Sequence, residues 1–194
     1  MMMALDASQS LPDDKLLARF AQGDRIAAEI LTARLAPLVF KQAFRMLSDR
    51  SEAEDVTQES LLRLWRAAPD WDFNQAKVTT WLYRVTANLC IDRIRKEKHS
   101  CGEVLEIADA APGMEHQLQI QARAVALQTA LQKLPERQRQ AMILRHLQDL
   151  SNPEISDIME ISIEAVESLI ARGKRTLAGA LAPQKKALGF QDEQ

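Results

Sequence analysis

Glycine, proline and aromatic residues are scarce in this chain. Of its 194 residues only 6 are glycine and 7 are proline, and 5% are aromatic. This composition is more typical of helical proteins than of sheet proteins. The hydrophobic fraction of 46% can supply a buried core, and the length allows one domain or two small ones. We therefore expect an all-α protein.

Cysteine is rarer still, and its two residues match no zinc-binding spacing. Cys90 falls in an apolar stripe, which predicts a buried free thiol, and Cys101 stands in a polar segment. Several carboxylates lie between residues 52 and 59, but no histidine stands at ligand spacing from them. We therefore predict no metal site, no cofactor and no catalytic residues. The chain also shows no nucleophile–base pair and no phosphate-binding loop, which argues against an enzyme.

Long hydrophobic runs and a strong net charge are also missing. No window approaches the roughly 20 apolar residues of a membrane span, and the N-terminus lacks the basic and apolar segments of a signal peptide. These features predict a cytoplasmic protein without membrane insertion. The formal net charge of −2 excludes a uniformly basic surface. Any contact with nucleic acid must therefore come from local patches.

Residues 80–99 form the most informative stretch that the chain does contain. They include no glycine and no proline, which predicts an unbroken helix with two apolar stripes, and such stripes indicate neighbours on two sides. Between the stripes lies a strip formed by Trp81, Arg84, Asn88, Asp92 and Arg95. Arginine, asparagine and an aromatic ring on an open face can contact phosphates, base edges and unstacked bases. The alternative is a core helix with a solvated basic end.

The residues before this stretch predict three further helices. The first should end at Gly23, and the second should begin after an Asp24 cap and be interrupted or restarted at Pro37. The third should begin with a capping box from Ser51 to Glu54 and end near Ala67. The third of these helices carries a polar face made of Asp55, Gln58, Glu59, Leu62 and Arg66. Singly exposed leucines are common on protein surfaces. A leucine ringed by polar groups can also anchor a helix-sized protein contact.

A short polar loop separates the third helix from residues 80–99. It holds Trp71, Phe73 and Asn74, and Thr79 or Thr80 is expected to cap the helix that follows. The two aromatic rings either pack under the fold or line a pocket for an extruded base.

Composition divides the chain into two parts. We expect a disordered segment at residues 1–11, a first domain at 12–99, an acidic linker at 100–114, a second domain at 115–182 and a tail at 183–194. The sequence of the second domain predicts four helices. The first spans residues 114–133, and the second begins at Pro135. The third begins with a capping box from Ser151 to Glu154, and the last is capped by Ser162. Two short helices around a tight turn at residues 160–162 form a helix-turn-helix pattern.

Three segments resemble motifs of the bacterial extracytoplasmic-function sigma factors. Residues 52–59 (EAEDVTQE), followed by Leu64-Trp65, are similar to the polymerase-binding helix of that family. Residues 80–95 (TWLYRVTANLCIDRIR) are similar to its promoter −10 helix. Residues 131–139 (LQKLPERQR) and 154–175 resemble its region four, which reads the −35 element. The resemblance covers about residues 13–99 and 115–181.

The resemblance implies an initiation factor that binds core RNA polymerase and promoter DNA. The implied polymerase contacts are Asp55, Gln58, Glu59, Leu62 and Arg66. The implied −10 contacts are Trp71, Phe73, Asn74, Trp81, Arg84, Asn88, Asp92, Arg93, Arg95 and Lys96. The implied −35 contacts are Arg137, Arg139, Ser162, Glu164, Glu167, Ser168, Arg172, Lys174 and Arg175. It further implies a protein that is monomeric when free, acts on stress-response genes and is controlled by an anti-sigma factor.

Two features depart from the family pattern. Glu160 stands in the turn where a glycine is common, and acidic residues replace the usual basic run at the start of the last helix. Glu164 and Glu167 fit two roles, as acceptors from cytosine amino groups or as partners of the helix dipole. The acidic linker likewise has two possible roles. It either threads a channel of the polymerase or serves as an ordinary tether between the domains. The alternative function is a helix-turn-helix regulator that acts without polymerase.

Overall fold

Every regular element of the described residues is helical, which confirms the predicted fold class. The computed structural model describes residues 10–72, 77–100 and 115–184, without the side chains of 97–100, 115–121 and 184. The helices there are α1 (Asp13–Ala21), α2 (Arg25–Leu47), α3 (Arg50–Ala67), α4 (Val78–Ser100), α5 (Glu115–Gln132), α6 (Glu136–Leu147), α7 (Asn152–Met159) and α8 (Ile163–Leu181). Short 3₁₀ turns follow α3 and α8 at Ala68–Asp70 and Ala182–Gln184. In this part of the chain, no helix is both long and apolar enough to cross a bilayer.

Three predicted helix starts are confirmed by their caps. Asp24 Oδ1 accepts from the amide of Ile26 at 3.0 Å and opens α2. Ser151 and Glu154 form the capping box of α7, and Ser162 caps α8 through the amide of Ala165. These side chains satisfy amide groups that have no partner within the helix. Local sequence therefore determines where these helices begin.

Three other predicted boundaries are wrong. The cap of α3 is Asp49, whose Oδ1 accepts from the amide of Glu52 at 2.8 Å, so Ser51 lies inside the helix and forms no capping box. The helix α4 begins at Val78, which places both candidate threonine caps within its first turn. Pro37 neither interrupts nor restarts α2, which continues to Leu47 because buried packing on both sides of the proline holds it.

The helices α1 to α4 form the first bundle. Its core contains fully buried residues from each helix, among them Leu16, Leu17, Leu31, Leu35, Leu64 and Leu82. A hydroxyl pair joins α3 to α4 inside this bundle, because Thr86 Oγ1 donates to Ser60 Oγ at 3.1 Å. This bond and the apolar packing fix the rotation of the two helices that carry the candidate contact residues.

The helices α5 to α8 form the second bundle, around Leu131, Leu144, Ile155, Val166 and Ile170. Gly173 permits the close approach of α8 to α6. A Cβ atom at that position would lie 2.6 Å from Cγ of Met142, inside the van der Waals limit. The predicted inward direction of Gly173 is therefore confirmed, and the packing holds α8 with its polar face outward.

The two bundles pack directly against each other. Ile143 of α6 is buried among Met46 of α2, Cys90 of α4 and their apolar neighbours. In the opposite direction, Tyr83 of α4 joins the core of the second bundle, and its hydroxyl donates to Gln148 Oε1 at 3.0 Å. The predicted linker that joins the bundles lies outside the described residues except for Ser100, where α4 ends.

Candidate polymerase-contact and nucleic-acid surfaces

The polar face of α3 is formed by Asp55, Gln58, Glu59, Leu62 and Arg66, all of them exposed except Glu59, which is half-buried. Leu62 is 47% exposed and lies among the polar side chains of this face, as its helical spacing predicted. Glu59 accepts from Arg63 Nε at 2.8 Å, and this hydrogen bond lowers the pKa of the Glu59 carboxyl. The face therefore combines an apolar centre with fixed charge around it, as protein-binding helices do. We call it the α3 face.

The polar strip of α4 is only partly open. Asn88, Asp92, Arg95 and Lys96 are exposed, whereas Trp81 and Arg84 are half-buried. Arg93 points elsewhere, because its Nη1 donates to the Glu52 carboxylate and to the Glu52 carbonyl oxygen on α3. In this conformation Arg93 connects α4 to α3 and is not part of the strip.

Trp71 lies beside the start of this strip. Its ring packs edge-on against that of Trp81, with centroids 5.4 Å apart and an interplanar angle of 77°. Trp71 also packs against the core of the first bundle, as the first alternative predicts, and its role in a base pocket stays a prediction. The other loop residues predicted to form a base pocket, Phe73 and Asn74, lie outside the described residues.

Acidic groups of the second bundle approach the basic side chains of α4 and of the segment before it. Arg84 Nη1 donates to Glu160 Oε1 at 2.8 Å, and Arg84 Nη2 donates to the Asp157 carbonyl oxygen at 3.0 Å. Lys77 Nζ lies 3.3 Å from Glu154 Oε1. Arg95 Nε lies 3.5 Å from Glu136 Oε2. The two arginines of the strip, Arg84 and Arg95, are thus paired with the second bundle, an arrangement that sequence reasoning missed because it depends on contacts between the bundles.

The helix α8 exposes the predicted basic residues of the helix-turn-helix. Arg172, Lys174 and Arg175 are exposed, as is Arg137 on α6. A shallow cleft of about 400 Å³ lies between these helices and is lined by Gln138, Arg172, Arg175 and Thr176. Two guanidinium groups at one cleft favour an anion such as a phosphate.

Arg139 differs from the other predicted −35 residues because it is buried, with 6% exposure. Its Nη2 donates to the carbonyl oxygens of Gln132 at 2.9 Å and Leu134 at 3.3 Å, and its Nη1 donates to that of Met46. Burial lowers the pKa of the Arg139 guanidinium. Arg139 is therefore closed to DNA in this structure. Its helical spacing from Met142 and Ile143, three and four residues later, was the sequence signal for burial.

The acidic start of α8 has partners within the molecule. Glu164 accepts from its own amide and from the Ser162 hydroxyl, and these hydrogen bonds lower the pKa of the Glu164 carboxyl. Glu167 Oε1 accepts from Asn152 Nδ2 at 3.4 Å. The contacts of Glu164 support the helix-start role for that residue, whereas Glu167 contacts α7; Glu164, Glu167 and Ser162 remain exposed while Ser168 is half-buried.

Comparison with known proteins finds one family match in each bundle. A family described as Sigma-70 region 2 matches residues 31–100, and one described as Sigma-70, region 4 matches residues 124–177. The chain is 31% identical over 176 residues to the ECF RNA polymerase sigma factor SigW of Bacillus subtilis, covering 84% of this chain and 93% of that protein. It is 33% identical over 170 residues to SigM of Mycobacterium tuberculosis, covering 87% and 84%.

Solved structures show the same fold. CnrH, in complex with the cytosolic domain of CnrY, superposes with a TM-score of 0.66 at 26% identity, covering 88% of this chain and 97% of that one. RpoE of Bartonella quintana, in complex with the anti-sigma factor NepR, gives a TM-score of 0.63 at 21% identity and covers 78% and 94%. The arrangement of two helical bundles is therefore shared with both.

Proposed function

The chain belongs to the extracytoplasmic-function sigma factors, and we propose that it binds core RNA polymerase through the α3 face and directs it to promoters. It acts as an initiation factor in the cytoplasm and not as an enzyme. The observation that carries the assignment of the contact is the exposed Leu62 at the centre of the α3 face. A regulator that bound DNA without polymerase would not need such a face on its first bundle.

The α3 face suits a helical partner. Leu62 offers apolar area that loses water on contact, and Asp55, Gln58, Glu59 and Arg66 surround it with groups that fix orientation. In the family, the corresponding helix meets the helical clamp of the largest polymerase subunit. The hydrogen bond between Arg63 and Glu59 orients one carboxylate of this face before any partner arrives.

We assign −10 recognition to α4 and −35 recognition to α8. The −10 contacts are Trp71, Phe73, Asn74, Trp81, Arg84, Asn88, Asp92, Arg95 and Lys96. The −35 contacts are Arg137, Ser162, Glu164, Glu167, Ser168, Arg172, Lys174 and Arg175. Arg93 is left out because its guanidinium is held by α3 of the same bundle, and Arg139 is left out because it is buried. The cleft between Arg172 and Arg175 would take a backbone phosphate of the −35 duplex.

Control by an anti-sigma factor is part of the proposal. The structural relatives CnrH and RpoE were solved with CnrY and the anti-sigma factor NepR, respectively. A protein that covered the α3 face or separated α4 from DNA would silence this factor by direct competition. The shared fold supports a partner of that kind here, and its presence would keep the factor inactive until a stress signal released it.

The test is run-off transcription with purified bacterial core polymerase on promoter fragments from the source genome. We expect discrete transcripts that depend on this protein. Leu62→Asp places a charge at the centre of the α3 face and should lower the transcript yield about tenfold or more, as expected for a buried interface anchor. The matched control is Ile26→Asp on α2, which changes a similarly exposed side chain (44%) and should stay within about twofold of wild type.

Two results would contradict the proposal. The first is equal transcription by Leu62→Asp and wild type, which would remove the α3 face from polymerase binding. The second is promoter binding by the protein alone together with no stimulation of polymerase at any salt concentration. That second result would favour the polymerase-independent regulator instead.

A further inference from the structure

The first turn of α8 presents one large apolar side chain to solvent. Ile163 directly follows the Ser162 cap and is 41% exposed. An exposed isoleucine adds little to the helix itself, because β-branched residues have a lower helix propensity than alanine or glutamate. Singly exposed apolar residues are common on proteins, so the position and the surroundings of Ile163 decide whether it has a role.

The packing role that an apolar residue could fill at the start of α8 is already filled. A hydrophobic staple uses the residue before the cap and the fourth residue of the helix, and these are Ile161 and Val166. Val166 is fully buried in the core of the second bundle, and Ile161 packs against the same core. The start of α8 is therefore anchored without Ile163, whose side chain stays available for contact with another molecule.

The charges around Ile163 indicate what it would meet on DNA. In a helix-turn-helix, the N-terminal residues of the second helix approach base edges in the major groove. Glu164 and Glu167 lie beside Ile163 and are exposed, and carboxylates repel phosphate oxygens. The cleft residues Arg172 and Arg175 lie about two to three turns further along α8. Phosphates are thus favoured at the basic end, and the start of the helix is left to the bases.

We propose that Ile163 determines part of the −35 specificity by contacting the C5-methyl group of a thymine. This inference rests on the proposed role of α8 in reading the −35 element. In the major groove thymine is the base that presents a methyl group, and apolar side chains are its partners. The isoleucine side chain has no donor or acceptor, so it cannot pair with the amino group of a cytosine at the same place. The contact therefore favours a T·A pair over a C·G pair.

The expected effect is that of one methyl group. Removing a methyl from water against the Ile163 side chain corresponds to about a fourfold change in affinity. Ile163→Ala removes the partner of that methyl, and alanine is a good helix former, so the variant should fold as wild type does. The matched control is Ile26→Ala, which shortens a similarly exposed isoleucine (44%) on α2.

The test uses the complex of the full-length protein with core polymerase, and a promoter fragment that gives transcripts in the run-off assay. Each thymine of its −35 element is replaced in turn by deoxyuridine, which lacks only the C5-methyl group. Fluorescence anisotropy gives the apparent Kd of the complex for each fragment. For wild type and Ile26→Ala, we expect one replacement to raise the Kd about fourfold. For Ile163→Ala, the same replacement should change the Kd by less than about 1.5-fold.

A wild-type Kd that no replacement changes would overturn the inference, and so would a −35 element without thymine. An equal loss in Ile163→Ala would also overturn it, because the methyl effect would then belong to another residue or to DNA shape. In each of these cases the unmodified fragment still supports initiation, so the proposed function stands. Absence of initiation on every unmodified fragment would instead overturn the proposed function, and this inference with it.

Discussion

At the scale of single residues, Cys90 shows how strongly the packing between the bundles controls a side chain. The residue is fully buried, as its apolar stripe predicted, and it lies in one cluster with Met46, Ile94 and Ile143. Burial raises the pKa of the Cys90 thiol to about 12 from an ordinary value of 9.0. The folded protein therefore holds the thiol in its protonated form far above neutral pH.

This pKa predicts how stability depends on alkaline pH. A raised folded pKa contributes stability that is complete below the unfolded value near 9.0 and is lost as pH rises towards about 12. Between pH 8 and pH 10, the free energy of unfolding measured in urea should therefore fall by about 1 kcal/mol more for wild type than for Cys90→Ala. The comparison uses the change in unfolding free energy of each protein with pH. The cavity left by the alanine lowers the stability of the variant equally at every pH, so it does not affect that change. Parallel pH profiles would refute the prediction.

At the scale of elements, Arg139 marks the place where two helices end. Its guanidinium donates to the carbonyl oxygen of Met46 near the end of α2, and to those of Gln132 and Leu134 at and just after the end of α5. Helix C-termini carry unpaired carbonyl groups and partial negative charge, so a cation between two of them satisfies both. Arg139 is therefore a structural residue that connects the two bundles.

Removing this guanidinium should destabilise the protein. Arg139→Ala leaves buried carbonyl oxygens unpaired, and we expect the free energy of unfolding to fall by about 2–4 kcal/mol in urea titrations. Arg139→Lys keeps the charge but loses the planar set of donors, so its stability should lie between those of the other two proteins. Arg137→Ala, on the exposed face of the same helix, should change stability by less than about 0.5 kcal/mol. A stable Arg139→Ala protein would contradict this assignment.

The same scale shows what the sequence can predict. Caps at Asp24, Ser151 and Ser162 were readable because a side chain and an amide two or three residues away settle them. The start of α3 could not be predicted in this way. Asp49 and Ser51 are both good caps, and only the packing of the chain selects between them. Pro37 also favoured a break on local grounds, and tertiary packing overrode it.

The candidate site follows the same rule. The α3 face was predictable because one helix carries all of it. The contacts of Arg84 with Glu160 and of Arg93 with Glu52 were not, because each joins residues that are distant in sequence. The helical pattern could show that these arginines lie outside the apolar stripes of α4. It could not show which acidic group would meet them.

At the scale of the whole molecule, the two bundles meet through a surface that belongs partly to each core. On α6, Met142 and Leu144 face the second bundle while Ile143 and Leu147 face the first. A short helix that is apolar on both sides indicates neighbours on both sides. The sequence of α6 does not show that the first bundle is its second neighbour. The packing of the two bundles could therefore not be predicted from the sequence.

This geometry predicts that one substitution can separate the bundles without unfolding either. Ile143→Asp puts a charge into the contact with the first bundle, where burying it would cost about 3 kcal/mol or more. We expect a larger radius of gyration in X-ray scattering and an unchanged helical signal in circular dichroism. Val125→Asp, at a residue that is 46% exposed, is the control and should leave both measurements unchanged. Loss of helical signal in Ile143→Asp would instead place Ile143 in the core of its own bundle.

The α3 face and the polar strip of α4, the −10 strip, differ in one respect that affects the order of events. Leu62 is exposed while Arg84 and Arg95 are paired, so a partner can reach the α3 face without breaking an ion pair, whereas a ligand of the −10 strip must replace two of them. Under the proposed function, we therefore expect this protein to bind polymerase before its −10 strip binds DNA.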